Sequence, residues 1–315
     1  MWRSEVESIT VLEAENLSKW YGNILGISEI SLKISPGIQG LLGPNGAGKS
    51  TFLKIASGQL KQNLGQIRIF GEPVYNNHRI FSKIGFCPEY DSYFKEVTGW
   101  EFMIFLARLH GFKGKEATDL AGEALEKVGM EDNAKKLISA FSLGMRQRLK
   151  VASSIVHNPD ILILDEPLRG VDPLWRVKII KLIKEYEKSG KTVIVSSHIL
   201  PEVESMTNNI ILIHQGKIFA HGDIQEIRGL IDKHPHQVSI QCDRPRMAAE
   251  KLITQDFVLK VQLDDKEKRL VIETDNRENF YDSLMKIIIE NGLEVEEMTS
   301  PDDNLQAVFD YLIGR

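Results

Sequence analysis

The run Gly43-Pro44-Asn45-Gly46-Ala47-Gly48-Lys49-Ser50-Thr51 constrains this chain more than any other stretch. Residues 38–42 ahead of it read as a strand and residues 52–56 behind it as a helix, the order in which G-x-x-x-x-G-K-[ST] carries structural meaning. Glycines at 43, 46 and 48 permit a tight turn whose successive N–H groups face inward, a cradle for phosphate oxygens. The positive end of the following helix favours the same anion. Lys49 is expected to supply a point charge to the β- and γ-phosphates, and the Ser50 hydroxyl to hold Mg²⁺.

Bulk properties set the outer limits. At 315 residues there is room for one large or two ordinary domains, and 42% hydrophobic with 26% charged content is that of a soluble globular protein. A net charge of -5 gives no electrostatic case for nucleic acid as a partner. Two cysteines, Cys87 and Cys242, make no disulfide framework and suit a reducing interior. No apolar run approaches the ~20 residues needed to span a bilayer. Glu5 and Glu7 stand where a signal peptide requires an apolar core. The expectation is a soluble chain, or one attached to a membrane through a partner.

Along the chain, residues 11–42 alternate as short strands with a turn at Pro36-Gly37, and 66–70 and 83–87 are strand-like. Thr98-Gly99-Trp100-Glu101 is a capping box that opens a helix running to about His110. Residues 113–138 read as further amphipathic helix, so 96–141 is a helical insertion between strands. A helix from about Gly144 to His157 stops at Asn158-Pro159, and the wholly apolar 161–164 suits the middle of a parallel sheet. Asp172-Pro173 opens a helix that ends near Ser189-Gly190; 192–196 is a buried strand, and 210–213 with 217–220 form a hairpin at Gln215-Gly216. After Gly222 the composition shifts. Residues 223–236 read as a linker with a short helix and a break at His234-Pro235-His236. From 237 to 315 the order is β-α-β-β-α-β with a trailing helix at 304–313, a separate small α+β domain of ferredoxin-like character.

Asp165 and Glu166 follow the apolar strand, at the carboxyl end where open α/β sheets bind ligands. Asp165 is expected to hold Mg²⁺ through water, and Glu166 to polarise an attacking water.

This order of motifs resembles the ATPase subunit of ABC transporters. Phe141-Ser142-Leu143-Gly144-Met145-Arg146-Gln147-Arg148 is similar to the family's LSGGQ signature, departing at Phe141, Leu143 and Met145. The S-x-G-M-[RK]-Q-R form resembles the branch serving drug, polysaccharide and sodium exporters. The resemblance covers about residues 10–222 and implies a P-loop fold of the ABC type, a mixed α/β core with a helical insertion. It implies that Ser142, Gly144 and Met145 bind the γ-phosphate of an ATP held by a second copy. It also implies that His198 contacts γ-phosphate and the attacking water, and that Tyr21 stacks on adenine, with Trp20 as its rival. Asp172 matches a segment touching the opposite subunit, and helix capping explains it equally well. Glu89 stands where the family usually has Gln, contacting Mg²⁺; a carboxylate there adds negative charge near γ-phosphate and is expected to slow hydrolysis or raise the Mg²⁺ requirement.

The resemblance thus implies an ATPase with catalytic residues Lys49, Glu89, Glu166 and His198, and with Mg²⁺ on Ser50, Asp165 and Glu89. It would act as a head-to-tail dimer, with a second copy or a homologous subunit. The dimer would drive an integral membrane permease, an exporter, from the cytoplasmic face of the membrane. Alternatives are a soluble ABC ATPase without a transport role and a slow nucleotide switch. A GTPase lacks support, since no N-K-x-D motif is present. The acidic and apolar run from Asp302 to Phe309 is similar to endings common in that branch, with packing or regulation as its role, and an ordinary core face explains its helical pattern equally well.

Overall fold

The computed structural model describes residues 10–91, 96–231, 236–264 and 267–300. The chain divides into two compact units, Met1–Gly222 and Asp223–Arg315.

In the first unit, β1 (Leu12–Tyr21) pairs antiparallel with β2 (Ile24–Ile34). A turn at Pro36-Gly37 leads to β3 (Ile38–Leu42), buried at every position, and the glycine-rich run then enters α1 (Lys49–Ala56). β4 (Leu64–Ile69) returns beside β1 and pairs with the short β5 (Glu72–Pro73), giving an antiparallel sheet of order β2-β1-β4-β5. A single turn, α2 (His78–Phe81), is capped by the Asn77 side chain and precedes β6 (Ile84–Cys87).

The helical stretch begins at α3 (Gly99–Leu109), where Thr98 and Glu101 form the capping box read from the sequence. It continues in α4 (Gly114–Lys127), whose buried face is largely alanine: Ala117, Ala121 and Ala124. Small side chains there let α3 and α4 approach closely. The single helix expected over 113–138 is instead broken at Gly129 (φ 60°), followed by two short 3₁₀ turns, Glu131–Asn133 and Ile138–Ala140. The left-handed backbone at Gly129 favours glycine, and a Cβ there would lie 1.9 Å from the ring of Trp175.

Next come α5 (Leu143–Ile155), β7 (Ile161–Asp165), α6 (Pro173–Lys188), β8 (Thr192–Ser197), α7 (Leu200–Glu204), β9 (Asn209–His214) and β10 (Lys217–Asp223). The second sheet has order β10-β9-β3-β8-β7-β6, with β9, β3, β8, β7 and β6 parallel. Gln215 (φ 46°) and Gly216 (φ 76°) make the two-residue connection from β9 to β10, both left-handed as a type I′ turn requires.

The apolar runs follow from this layering. Successive side chains of a strand point to opposite faces. Ile161, Ile163 and Ile194 accordingly join a core with α1 and the antiparallel sheet, through Phe52, Leu53, Leu12 and Ile67. Leu162, Leu164, Val193 and Val195 join the core of the opposite face with Met103, Leu125, Leu149 and Ile183. Both faces of β7 and β8 are therefore covered, and their sequences lack the polar alternation of a half-buried strand.

The second unit opens with α8 (Ile224–Ile231). It continues through β11 (His236–Cys242), α9 (Pro245–Leu252), β12 (Val258–Asp264), β13 (Arg269–Thr274), α10 (Arg277–Asn291) and β14 (Val295–Thr299). Its sheet has order β12-β13-β11-β14, and all neighbours are antiparallel. This is a split β-α-β pattern, in which β13 lies between the strands joined by α9. One face packs Val238, Ile240, Leu270 and Ile272 against Ala248, Leu252, Phe280 and Leu284. From β11, Gln237 pairs with Glu273, and Gln241 with Arg269 and Glu296. The helix expected at 304–313 lies outside the described residues. No helix among the described residues is long and apolar enough to cross a membrane.

Candidate active site

The glycine-rich loop is shaped by contacts that exclude a side chain. A Cβ on Gly43 would lie 2.3 Å from the carbonyl oxygen of Ile213, and Gly46 and Gly48 have φ of 80° and 107°. Gly48 is the N-cap of α1 and provides no side-chain acceptor, so the first amides of α1 have no capping side chain to compete with an anion. The loop borders a cleft of about 590 Å³, lined also by Tyr21, Ile24, Leu25, Gly26, Glu89, Tyr90, Glu166, Arg169 and His198.

Lys49 is buried and threads back under its own loop. Its Nζ donates to the carbonyl oxygens of Gly43 (2.7 Å) and Pro44 (3.3 Å) and lies 3.3 Å from Glu166 Oε1. Glu166 is buried as well, one residue beyond β7, with a left-handed φ of 50°. His198 Nδ1 lies 3.1 and 3.0 Å from the two oxygens of Glu166, which places the ring proton on Nδ1 when that carboxylate is ionised. One carboxylate thus meets a lysine and an imidazole.

Ser196, on β8, joins the two acidic residues. Its hydroxyl donates to Asp165 Oδ1 (2.6 Å) and accepts from the Glu166 backbone N–H (2.9 Å). Asp165 Oδ2 is buried and has no hydrogen-bond partner among the described residues. A buried carboxylate oxygen without a donor is costly, and a cation offsets that cost. Asp165 Oδ2, and the Ser50 hydroxyl in the cleft wall, are hard oxygen donors of the kind that suit Mg²⁺.

Tyr21 ends β1 with its ring against Gly26, where a Cβ would sit 3.0 Å from Cε2, and its hydroxyl is 3.4 Å from Thr51 Oγ1. Tyr21 is 46% exposed and lines the cleft, whereas Trp20 does not. Glu89 follows β6 after Pro88. Its carbonyl accepts from Lys150 Nζ (2.6 Å), and its carboxylate is ion-paired with Arg169.

Ser142, Gly144 and Met145 lie elsewhere. Ser142 is the exposed N-cap of α5, its Oγ accepting from the Met145 N–H at 3.2 Å, and none of the three borders the cleft. Gly144 abuts the carbonyl of Gly170, and Asp172 caps α6 through the Trp175 N–H at 3.1 Å. Sequence reasoning overlooked Ser196 and Arg169. The signal for Ser196 is a serine ending an apolar strand beside the acidic pair; for Arg169, a cation three residues after Glu166 in a chain with a carboxylate at 89. Both cysteines are buried and free, and burial pushes the Cys87 thiol up to about 12, which leaves it inert.

Comparison with known proteins agrees with this geometry. Residues 27–169 match the family described as ABC transporter. The bacitracin transport ATP-binding protein BcrA of Bacillus licheniformis is 33% identical over 309 residues, covering 97% of this chain and 98% of that protein. The daunorubicin/doxorubicin resistance ATP-binding protein DrrA of Streptomyces peucetius is 28% identical, covering 96% and 92%. Among solved structures, an ATP-binding subunit of an ABC transporter aligns with a TM-score of 0.65 at 26% identity, over 70% of this chain and 93% of that one. The dimeric post-hydrolysis structure of the ATP-binding cassette MJ0796 with ADP and Pi aligns with a TM-score of 0.63 at 25% identity, over 68% and 98%. The chain belongs to the ABC transporter family, as an ATP-binding and ATP-hydrolysing subunit.

Proposed function

We propose that this ATPase works as a head-to-tail dimer, with a second copy or a homologous subunit, and drives a separate membrane permease that exports antibiotic-like compounds. The observation that carries the reading is the separation of the motif residues. Residues 44–51, Glu89, Glu166 and His198 border one cleft, while Ser142, Gly144 and Met145 stand outside it at the start of α5, where Ser142 is exposed. A second copy turned head to tail brings its Ser142 and α5 amides to the open side of the first copy's triphosphate. Binding of ATP then closes the interface, and hydrolysis reopens it.

Within each cleft, Tyr21 stacks on adenine and the backbone N–H groups of residues 45–51 hold the phosphates. Lys49 exchanges its Gly43 and Glu166 contacts for phosphate oxygens. That exchange frees Glu166 to accept a proton from water as the water oxygen attacks γ-phosphorus and the bond to ADP breaks. His198 holds the Glu166 carboxylate through Nδ1. Ser50 and Asp165 are the residues that would hold Mg²⁺, which when bound neutralises phosphate charge; the Glu89 carboxylate, also expected to reach the cation, is instead engaged by Arg169. Support for export comes from relatives whose names record bacitracin transport, linearmycin resistance and daunorubicin/doxorubicin resistance. The permease would keep this subunit on the cytoplasmic face of the membrane.

The test is co-expression with a candidate six-helix membrane permease, followed by purification in detergent. Co-purification that depends on residues 90–112 is expected. A chain that hydrolyses ATP as a monomer at every concentration overturns the proposal.

A further inference from the structure

Glu89 raises an electrostatic problem. Glu166 and Glu89 put two carboxylates in the wall of a cleft whose substrate is a polyanion, and Lys49 is already paired with Glu166. The backbone around Glu89 is fixed from α5: Lys150 Nζ binds the Glu89 carbonyl at 2.6 Å and lies 3.5 Å from Asp91 Oδ1, and Arg146 Nε is 3.0 Å from Asp91 Oδ2. The Glu89 side chain is held separately, by the guanidinium of Arg169 on the segment just after Glu166. Arg169 also lines the cleft.

We propose that Arg169 is a positioning residue for the ATPase cycle, holding and neutralising Glu89 so that the pair presents no net negative charge to the triphosphate. The inference rests on the reading of this cleft as the ATP site. An amide at 89 would bring no charge; a carboxylate with its arginine restores neutrality by two residues acting together. Without Arg169, two carboxylates face the phosphates with Lys49 as the one lysine or arginine among the cleft-lining residues described. One uncompensated unit charge several ångströms from a phosphate, in a partly screened cleft, corresponds to roughly a tenfold or larger loss of affinity.

The test is a mutant cycle on the full chain: wild type, Arg169→Ala, Arg169→Lys, Glu89→Gln and the Glu89→Gln/Arg169→Ala double variant. Affinity for MgATP is measured by calorimetric titration at low and at physiological salt. Arg169→Ala is expected to weaken binding about tenfold or more at low salt, with a smaller loss at higher salt. Arg169→Lys stays within about threefold of wild type, and the double variant recovers most of the loss. Rescue by removing the opposite charge is a result that a merely structural role for Arg169 does not produce. A double variant as weak as Arg169→Ala means that Arg169 serves the nucleotide directly, and an Arg169→Ala protein within twofold of wild type means that the pair is idle; either overturns the inference. A wild-type chain that binds no MgATP would overturn the reading of the cleft itself.

Discussion

Ser196 is the hydroxyl on which the acidic pair depends, and its removal gives a sharp test of that geometry. In Ser196→Ala the buried Asp165 carboxylate loses the donor at Oδ1, and with Oδ2 already unpartnered it keeps none among the described residues. The Glu166 N–H, on a residue of left-handed φ, loses its acceptor as well. A hydrogen bond to a charged group contributes about 1.5–3 kcal/mol and a neutral one about 0.5–1.5 kcal/mol, so the variant should lose roughly 2–4 kcal/mol. Trp20, Trp100 and Trp175 lie in the first unit, and no tryptophan occurs after residue 175, so urea unfolding followed by tryptophan fluorescence reads that unit selectively. With saturating MgATP the charged part of the loss should shrink if the cation proposed at Asp165 takes over, leaving about 0.5–1.5 kcal/mol. A loss below about 0.5 kcal/mol without nucleotide would refute the role assigned to this hydroxyl.

Other perturbations test separate parts of the account. Gly43→Ala drives a methyl group into the carbonyl of Ile213 and should weaken MgATP binding at least about tenfold in a nucleotide titration, through displacement of the loop. Ile163→Ala removes a fully buried side chain and should cost roughly 2–5 kcal/mol in urea unfolding while leaving the affinity for MgATP near wild type. His157 stacks on His110 at 3.6 Å with Nε2 3.0 Å from the Ile84 carbonyl, and burial followed by repulsion from His110 lowers its pKa to about 4. The unfolded chain therefore binds more protons than the folded one between pH 6.5 and 4. Stability present above pH 6.5 should fall by up to about 3 kcal/mol as the pH drops to 4, and His157→Phe should flatten that limb of the unfolding curve.

Much of the core was legible because its signals are local. A glycine-rich run between strand and helix, the apolar runs at 161–164 and 192–196, and the capping box at Thr98 each lie within a few residues, and β3, α1, β7, β8 and α3 follow from them. The short α2 and α7 have no room for a repeating apolar pattern and went unread. The break in the helix expected over 113–138 was overlooked although Gly129 marks it, because the reason lies 46 residues away in the ring of Trp175. The site divides similarly. The glycines, Lys49, Asp165 and Glu166 sit in contiguous motifs, whereas the Arg169 partner of Glu89 is 80 residues distant and Ser196 is 31 residues from Asp165. Such pairings arise only when neighbouring parallel strands and the segments beyond their ends are brought together.

The most direct measurement is the mass in solution of Glu166→Gln, which keeps the shape of the cleft but removes the carboxylate proposed to accept the water proton. With excess MgATP, light scattering should report a species of twice the chain mass that returns to monomer when nucleotide is removed. A Glu166→Gln protein that is saturated with MgATP and still monomeric at micromolar concentration would contradict the closure of two copies around two triphosphates.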